Sequence, residues 1–182
     1  MWMIAVAVVL VCIVFVIVSY NSLVKSRQKT KNAWSQVEVH LQKRFDLIPN
    51  LTEIVKGYAK HESEIFTEIT RLRTSWTSAQ TVGDKCEADN KMAGLLKTMM
   101  AVSENYPELA SNQNFLALQK ELSETESKIA FARQFFNDAV TRYNTKLETF
   151  PSNIFAKIFG FQAESLFRVE SQEAAKNVNV KF

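Results

Sequence analysis

The sequence predicts an all-α protein in which an N-terminal transmembrane helix continues into a bundle of long helices, up-and-down and antiparallel. Three observations carry that expectation: an unbroken apolar run at the start, heptad-spaced apolar seams after it, and a scarcity of helix breakers. Of 182 residues, 47% are apolar, and only four are glycine and three proline, none of them before Pro49. Prolines at 49, 107 and 151 punctuate helices; a β fold would need far more turn residues. The length fits one domain with apolar residues enough for a core even without the opening run.

That run, Met1 to Val18, carries no ionisable side chain except Cys12, and Ser19 and Tyr20 finish it. Eighteen apolar residues reach the threshold for a bilayer-spanning helix, with Trp2 and Tyr20 where an aromatic belt places them. A cleaved signal peptide would need a basic start and a small-x-small site, both missing. A lipoprotein signal would need a small residue before Cys12, where Val11 stands. Residues 1–20 therefore read as an anchor.

Lys25, Arg27, Lys29 and Lys31 follow, with no acid until Glu38. Under the positive-inside rule they hold the C-terminal body in the cytoplasm and leave the N-terminus outside. They read either as an ordinary solvated helix face or as contacts to anionic headgroups, at about 1 kcal/mol each. The two readings are compatible. Nucleic-acid binding is excluded because the cluster is short, lies beside the membrane and belongs to no recognition module.

No breaker separates Tyr20 from Ala33, so the anchor is expected to run on as one rod, helical over about 21–76. Its seam is Trp34, Val37, Leu41, Arg44, Ile48, Leu51, Val55, Tyr58, Glu62, Ile65, Ile69, Leu72 and Trp76. All but Arg44 and Glu62 are apolar or aromatic. At about 1.5 Å per residue the stripe is about 64 Å long. Pro49 falls just off the seam and predicts a kink, the alternative being that the helix folds back there. Gly83 marks the first turn. Asp84 and Glu87 then resemble a capping box, opening a second helix over 84–105 with Ala88, Met92, Leu95, Met99, Val102 and Tyr106 as its stripe.

A third helix is expected over 112–150, capped by Ser111 or Asn112 and stopped by Pro151. Its seam runs through Phe115, Leu118, Leu122, Thr125, Ile129, Ala132, Phe136, Ala139, Tyr143, Lys146 and Phe150. A short aromatic helix over 153–168, with Phe155, Ile158, Phe159 and Phe161, is expected to cover the bundle, the alternatives being membrane or partner contact. The bundle ends there, at 168, and 169–182 read as an irregular tail. A chain that goes out from the membrane, back and out again leaves Trp34, Val37, Leu41, Phe45 and Ile48 near the bilayer without a partner of their own. Burial of that strip by neighbouring copies predicts a homo-oligomer.

Chemistry is harder to find. A di-metal carboxylate site in a bundle needs two Glu-x-x-His helices, whereas this chain has only His40 and His61, and the His61/Glu64 pair is in the reverse order. Glu62, Arg44 and Lys146 on the seams read as register-fixing or paired charges. No phosphate loop, nucleophile elbow or Cys-based metal spacing exists, so no catalytic, cofactor or metal residue is assigned.

Nearly the whole chain after the anchor resembles the LemA family, through AWSQVEV at 33–39, RFDLIPNL at 44–51, VKGYAKHE at 55–62, ENYPEL at 104–109, NFLALQKELSETESKIAFAR at 114–133, YN at 143–144 and FPSNIFAKIFGF at 150–161. Phe136-Asn137 departs from the family's Tyr-Asn. The resemblance implies a bacterial inner-membrane protein with one span, an outward N-terminus, a cytoplasmic helical bundle and no established enzymatic activity. Family members are associated with membrane proteases and envelope stress, and a relative works in magnetosome membranes. The expectation is a non-enzymatic scaffold or adaptor contacting the lipid bilayer, copies of itself and an envelope protein. The rival classes are a regulatory partner of a membrane protease and a metal-dependent enzyme.

Overall fold

A computed structural model describes residues 1–59 and 62–168. Among them every regular element is helical: α1 (Trp2–Tyr58), α2 (Ser63–Ser78), α3 (Val82–Ser103), α4 (Pro107–Ala110), α5 (Gln113–Glu148) and α6 (Ser152–Ile158). The chain divides into two compact units, Met1–Lys43 with Glu124–Leu166 and Arg44–Ser123 with Phe167–Phe182. The tail expected over 169–182 lies outside the described residues.

In the second unit, Pro49 sits inside α1 without ending it, so the helix does not fold back there. It ends nine residues later. Ala59 makes the last backbone bond, to the Val55 carbonyl, and Glu62 leaves helical geometry. Gly57, which costs roughly 1 kcal/mol relative to alanine in a helix, stands in the last turn. The expected single rod to Trp76 is therefore two helices. Their contacts set the direction: Lys56 near the end of α1 lies over Phe66 near the start of α2, while Trp76 at the far end of α2 stacks on Phe45, with centroids 4.7 Å apart. The α2 helix runs back along α1. Heptad spacing could not show this, because the phase persists in sequence through residues that are themselves compatible with a helix.

Thr81 caps α3, accepting from the Asp84 backbone N–H at 3.1 Å, so the cap lies three residues before the expected Asp84. The reason is one of position, since Asp84 stands within the first turn, where its charge favours the positive helix end. Buried Ala88, Asp89, Met92, Leu96, Met99 and Ser103 form the inner face of α3. Leu96 takes the place expected for Leu95. Asn112 opens α5 as expected, accepting from the backbone N–H groups of Asn114 and Phe115. It also donates to the Tyr58 hydroxyl at 3.0 Å, which sets the start of α5 beside the end of α1. The unit is thus an alternation of α1, α2, α3 and α5 around Phe45, Ile48, Leu51, Leu72, Trp76, Met92, Met99 and Phe115.

In the first unit, α1 and α5 pair antiparallel. Trp34 meets Phe136 with ring centroids 5.3 Å apart, and ten residues further along α5 Lys146 reaches Ser22, twelve residues earlier in α1. Leu23, Ser26, Thr30, Ala33, Val37 and Leu41 of α1 are buried here, as are Thr125, Ile129, Ala132, Phe136, Val140 and Tyr143 of α5. Small Ser26 and Thr30 allow close approach, and Thr30 returns its hydroxyl to the Arg27 carbonyl at 2.6 Å.

This pairing corrects the argument for self-association. Val37, Leu41, Phe45 and Ile48 are fully buried within the single chain and Trp34 is half-buried, so the strip expected to seat a second copy is already covered. The expectation of three passes missed two pairings: in the second unit α2 returns along α1 after Tyr58, and in the first unit α5 runs antiparallel to α1.

Candidate functional site

The apolar start of α1 opens the first unit: its best eighteen-residue window has a mean hydropathy of 3.1 and none of it is buried. The helix is long and apolar enough to cross a membrane. Immediately after this stretch the structure gathers charge and aromatic surface from α1, α5 and the α6 region.

Lys25, Arg27, Lys29 and Lys31 are all exposed, and the helix divides them. Lys25 and Lys29, one turn apart, line a groove between α1 and α5 of about 920 Å³. Arg142 and Lys146 face them from α5, Asp138 supplies one opposing charge, and Val18 and Phe135 contribute apolar walls. Lys146 donates to the Ser22 hydroxyl at 3.0 Å, so this seam cation is held by a neutral group. Four cations thus line the groove with one carboxylate.

Arg27 points elsewhere. Its guanidinium lies 5.0 Å from the Phe161 ring centroid, within range of a cation–π contact. Phe161 is brought there by the end of α6: the Phe161 N–H reaches the Ala156 carbonyl at 2.9 Å and the Gly160 N–H reaches that of Lys157. This is a Schellman turn, and Gly160 supplies its left-handed residue at φ 69°. The turn sets Phe159 and Phe161 against Tyr20, at 4.9 and 5.8 Å between centroids, while Phe155 meets Phe15 at 5.8 Å. Of the expected cover segment, Phe155 and Phe161 are half-buried, whereas Ile158 and Phe159 remain exposed. The segment packs on the apolar helix itself, where the sequence had it covering the bundle core.

Beyond the turn the backbone is strapped to α5. Tyr143 donates its hydroxyl to the Gln162 carbonyl at 3.0 Å; Asn144 donates to the Glu164 carbonyl and accepts the Glu164 N–H at 2.8 and 3.0 Å. Burial pushes the Tyr143 phenol above its usual range, against a smaller pull from Arg27, and so keeps it a donor. The YN pair thus holds the segment that follows the aromatic turn. At the start of the aromatic helix, the Ser152 hydroxyl lies within hydrogen-bond distance of the Lys146 and Thr149 carbonyls, at 2.7 and 2.8 Å.

In the second unit, Arg44 and Asp89 form a fully buried ion pair, and Arg44 also donates to the Asp89 carbonyl at 3.1 Å. The seam position of Arg44 was legible, but its partner was not. Asp89 begins a seam with Met92, Leu96 and Met99 that is offset from the stripe read in the sequence. Buried Cys86 has its thiol pushed up to about 12 by desolvation, so it is an unreactive thiol at neutral pH. His61 lies outside the described residues, Glu64 is exposed, and among the described residues no three His, Cys, Asp or Glu side chains gather as metal ligands would. Arg142 and Asp138 are charged groove residues that the sequence did not single out; only their spacing of four and eight residues from Lys146 could have suggested them.

The LemA family profile matches residues 33–182. Magnetosome protein MamQ 2 of Paramagnetospirillum magneticum is 27% identical over 91% of this chain and 70% of its own length. The MamQ protein of Magnetospirillum gryphiswaldense is 25% identical over 81% of the chain and 64% of its own length. Protein LemA of Metamycoplasma hominis is 24% identical over 82% of the chain and 72% of its own length.

Proposed function

The chain belongs to the LemA family, and from that premise we propose that it is a non-enzymatic scaffold or adaptor of the bacterial inner membrane, held by one span with its N-terminus outside and its helical body in the cytoplasm. One observation carries the reading: α1 is a continuous helix over Trp2–Tyr58. A single helix thus carries the apolar run at one end and buried core residues such as Ile48 and Leu51 at the other. The four cations after the apolar run support the orientation.

The body offers apolar surface of its own. Phe131 and Phe135, one turn apart on α5, are 73% and 57% exposed. They form the place for lateral packing against a second copy or another membrane-bound protein. Two relatives are named as magnetosome proteins, and membrane organisation and envelope stress are the two processes to which this proposal extends. Regulation of a membrane protease shares this architecture and differs only in partner.

The test is crosslinking of the full chain in native membranes, followed by identification of what is captured. Capture of itself or of a defined membrane protein, reduced by changing Phe131 and Phe135 to Glu, supports the adaptor. A protease among the captured proteins selects the regulatory form. Stoichiometric transition metal in the purified chain would overturn the non-enzymatic reading.

A further inference from the structure

We propose that α6 and the turn after it are immersed in the bilayer beside the span, as a second and interfacial membrane contact. This rests on reading the start of α1 as that span. The depth is given by the partners. Tyr20 marks the end of the apolar run, and the rings of Phe159 and Phe161 lie against it. Phe155 packs five residues deeper, on Phe15, which at about 1.5 Å per residue is about 7.5 Å further along α1. An interfacial amphipathic helix buries its apolar face by about 5–10 Å, so the depth is that of such a helix.

The apolar surface that stays exposed beside α1 fits the same place. Ile154, Ile158 and Phe159 are exposed at 47%, 68% and 47%, and Phe150 just before the helix is 75% exposed. Ile154 and Ile158 are one turn apart, on a common face of α6. Four large apolar side chains bare to water within ten residues would be costly, but in the headgroup and upper acyl region they are matched. Charge agrees with this. Between Glu148 and Glu164 the only ionisable side chain is Lys157, which is exposed and long enough to snorkel to the headgroups. Arg27, over Phe161, sits on the polar side of the same boundary.

Lipid is favoured over a protein partner because the helix is seated on the span itself. Any protein covering Ile158 at this depth would have to lie within the membrane. The Schellman turn at Gly160 then returns the chain to the strap held by Tyr143 and Asn144, so the immersed segment is a short dip fixed at its exit.

Spin labels on the full chain in liposomes of phosphatidylethanolamine and phosphatidylglycerol test this, with Cys86→Ser throughout. The native Cys12, exposed in the span, reports on the anchor. Ile158→Cys in a Cys12→Ala background reports on α6, and Lys128→Cys in the same background reports on the exposed body. Accessibility to oxygen, which partitions into lipid, is compared with that to a water-soluble nickel chelate. The expected result is a label at 158 that favours oxygen as the Cys12 label does, with the label at 128 favouring nickel. A label at 158 that behaves like 128 overturns the proposal while Cys12 still reports lipid, and one shielded from both reagents overturns it in favour of a covering protein. Failure at Cys12 would instead remove the span.

Discussion

Changing Asp89 to Asn should destabilise the body more than any other single change of comparable size. The substitution keeps shape and volume but removes the carboxylate that faces Arg44, whose side chain is 1% exposed against 0% for Asp89. The guanidinium keeps the Asp89 carbonyl, at 3.1 Å, but it loses the buried carboxylate that faces it. Breaking a buried pair from one side costs about 3–5 kcal/mol. For a chain of this size each kcal/mol moves the melting temperature by about 2–4 °C, so the midpoint should fall by roughly 6–20 °C. Circular dichroism of the full chain in detergent micelles reads it. Removing both partners, Arg44→Met with Asp89→Leu, should recover most of the loss, because apolar replacements of similar volume need no counter-charge. A loss below about 1 kcal/mol, the range of an exposed pair, would refute the burial on which this reasoning depends.

Two further outcomes follow from single residues. Alanine at Gly160 must adopt a positive φ, at a cost of about 1–2 kcal/mol; the amides of Gly160 and Phe161 should then exchange faster with deuterium while the melting of the body barely changes. Cys86, with its thiol pushed up to about 12 from 9.0 by burial, should resist maleimides at neutral pH in the folded chain. A thiol held protonated contributes stability that is intact below about pH 9 and declines as pH rises towards 12. Urea midpoints of wild type and Cys86→Ala across that window should therefore converge as the pH is raised.

The seams were legible because heptad spacing records which side faces inward: Leu122, Thr125, Ile129, Ala132, Phe136 and Tyr143 are buried as that spacing requires. Asn112 could be placed as a cap because an Asx side chain before an apolar run has few other uses. Direction was not legible. Nothing in the phase from Tyr58 to Glu62 distinguishes a continuing helix from a turn in register, so the reversal was missed, and the antiparallel pairing of α5 with α1 at Trp34 and Phe136 was missed as well. The partner of Arg44 was hidden for a related reason, since a one-residue offset in α3 decides whether Asp89 faces in or out. In the aromatic segment composition announced a surface to be covered, while only the contacts of Phe155, Phe159 and Phe161 with Phe15 and Tyr20 show which surface it shares.

The central claim is that one helix suspends a cytoplasmic body from a single span, and protease treatment of intact spheroplasts tests it most directly. The expected result is that the 20.8 kDa chain keeps its body uncut until the membrane is permeabilised, after which exposed links such as that at Gln80 and Thr81 are cleaved. Digestion of the body from outside, before permeabilisation, would contradict the orientation and every cytoplasmic partner with it.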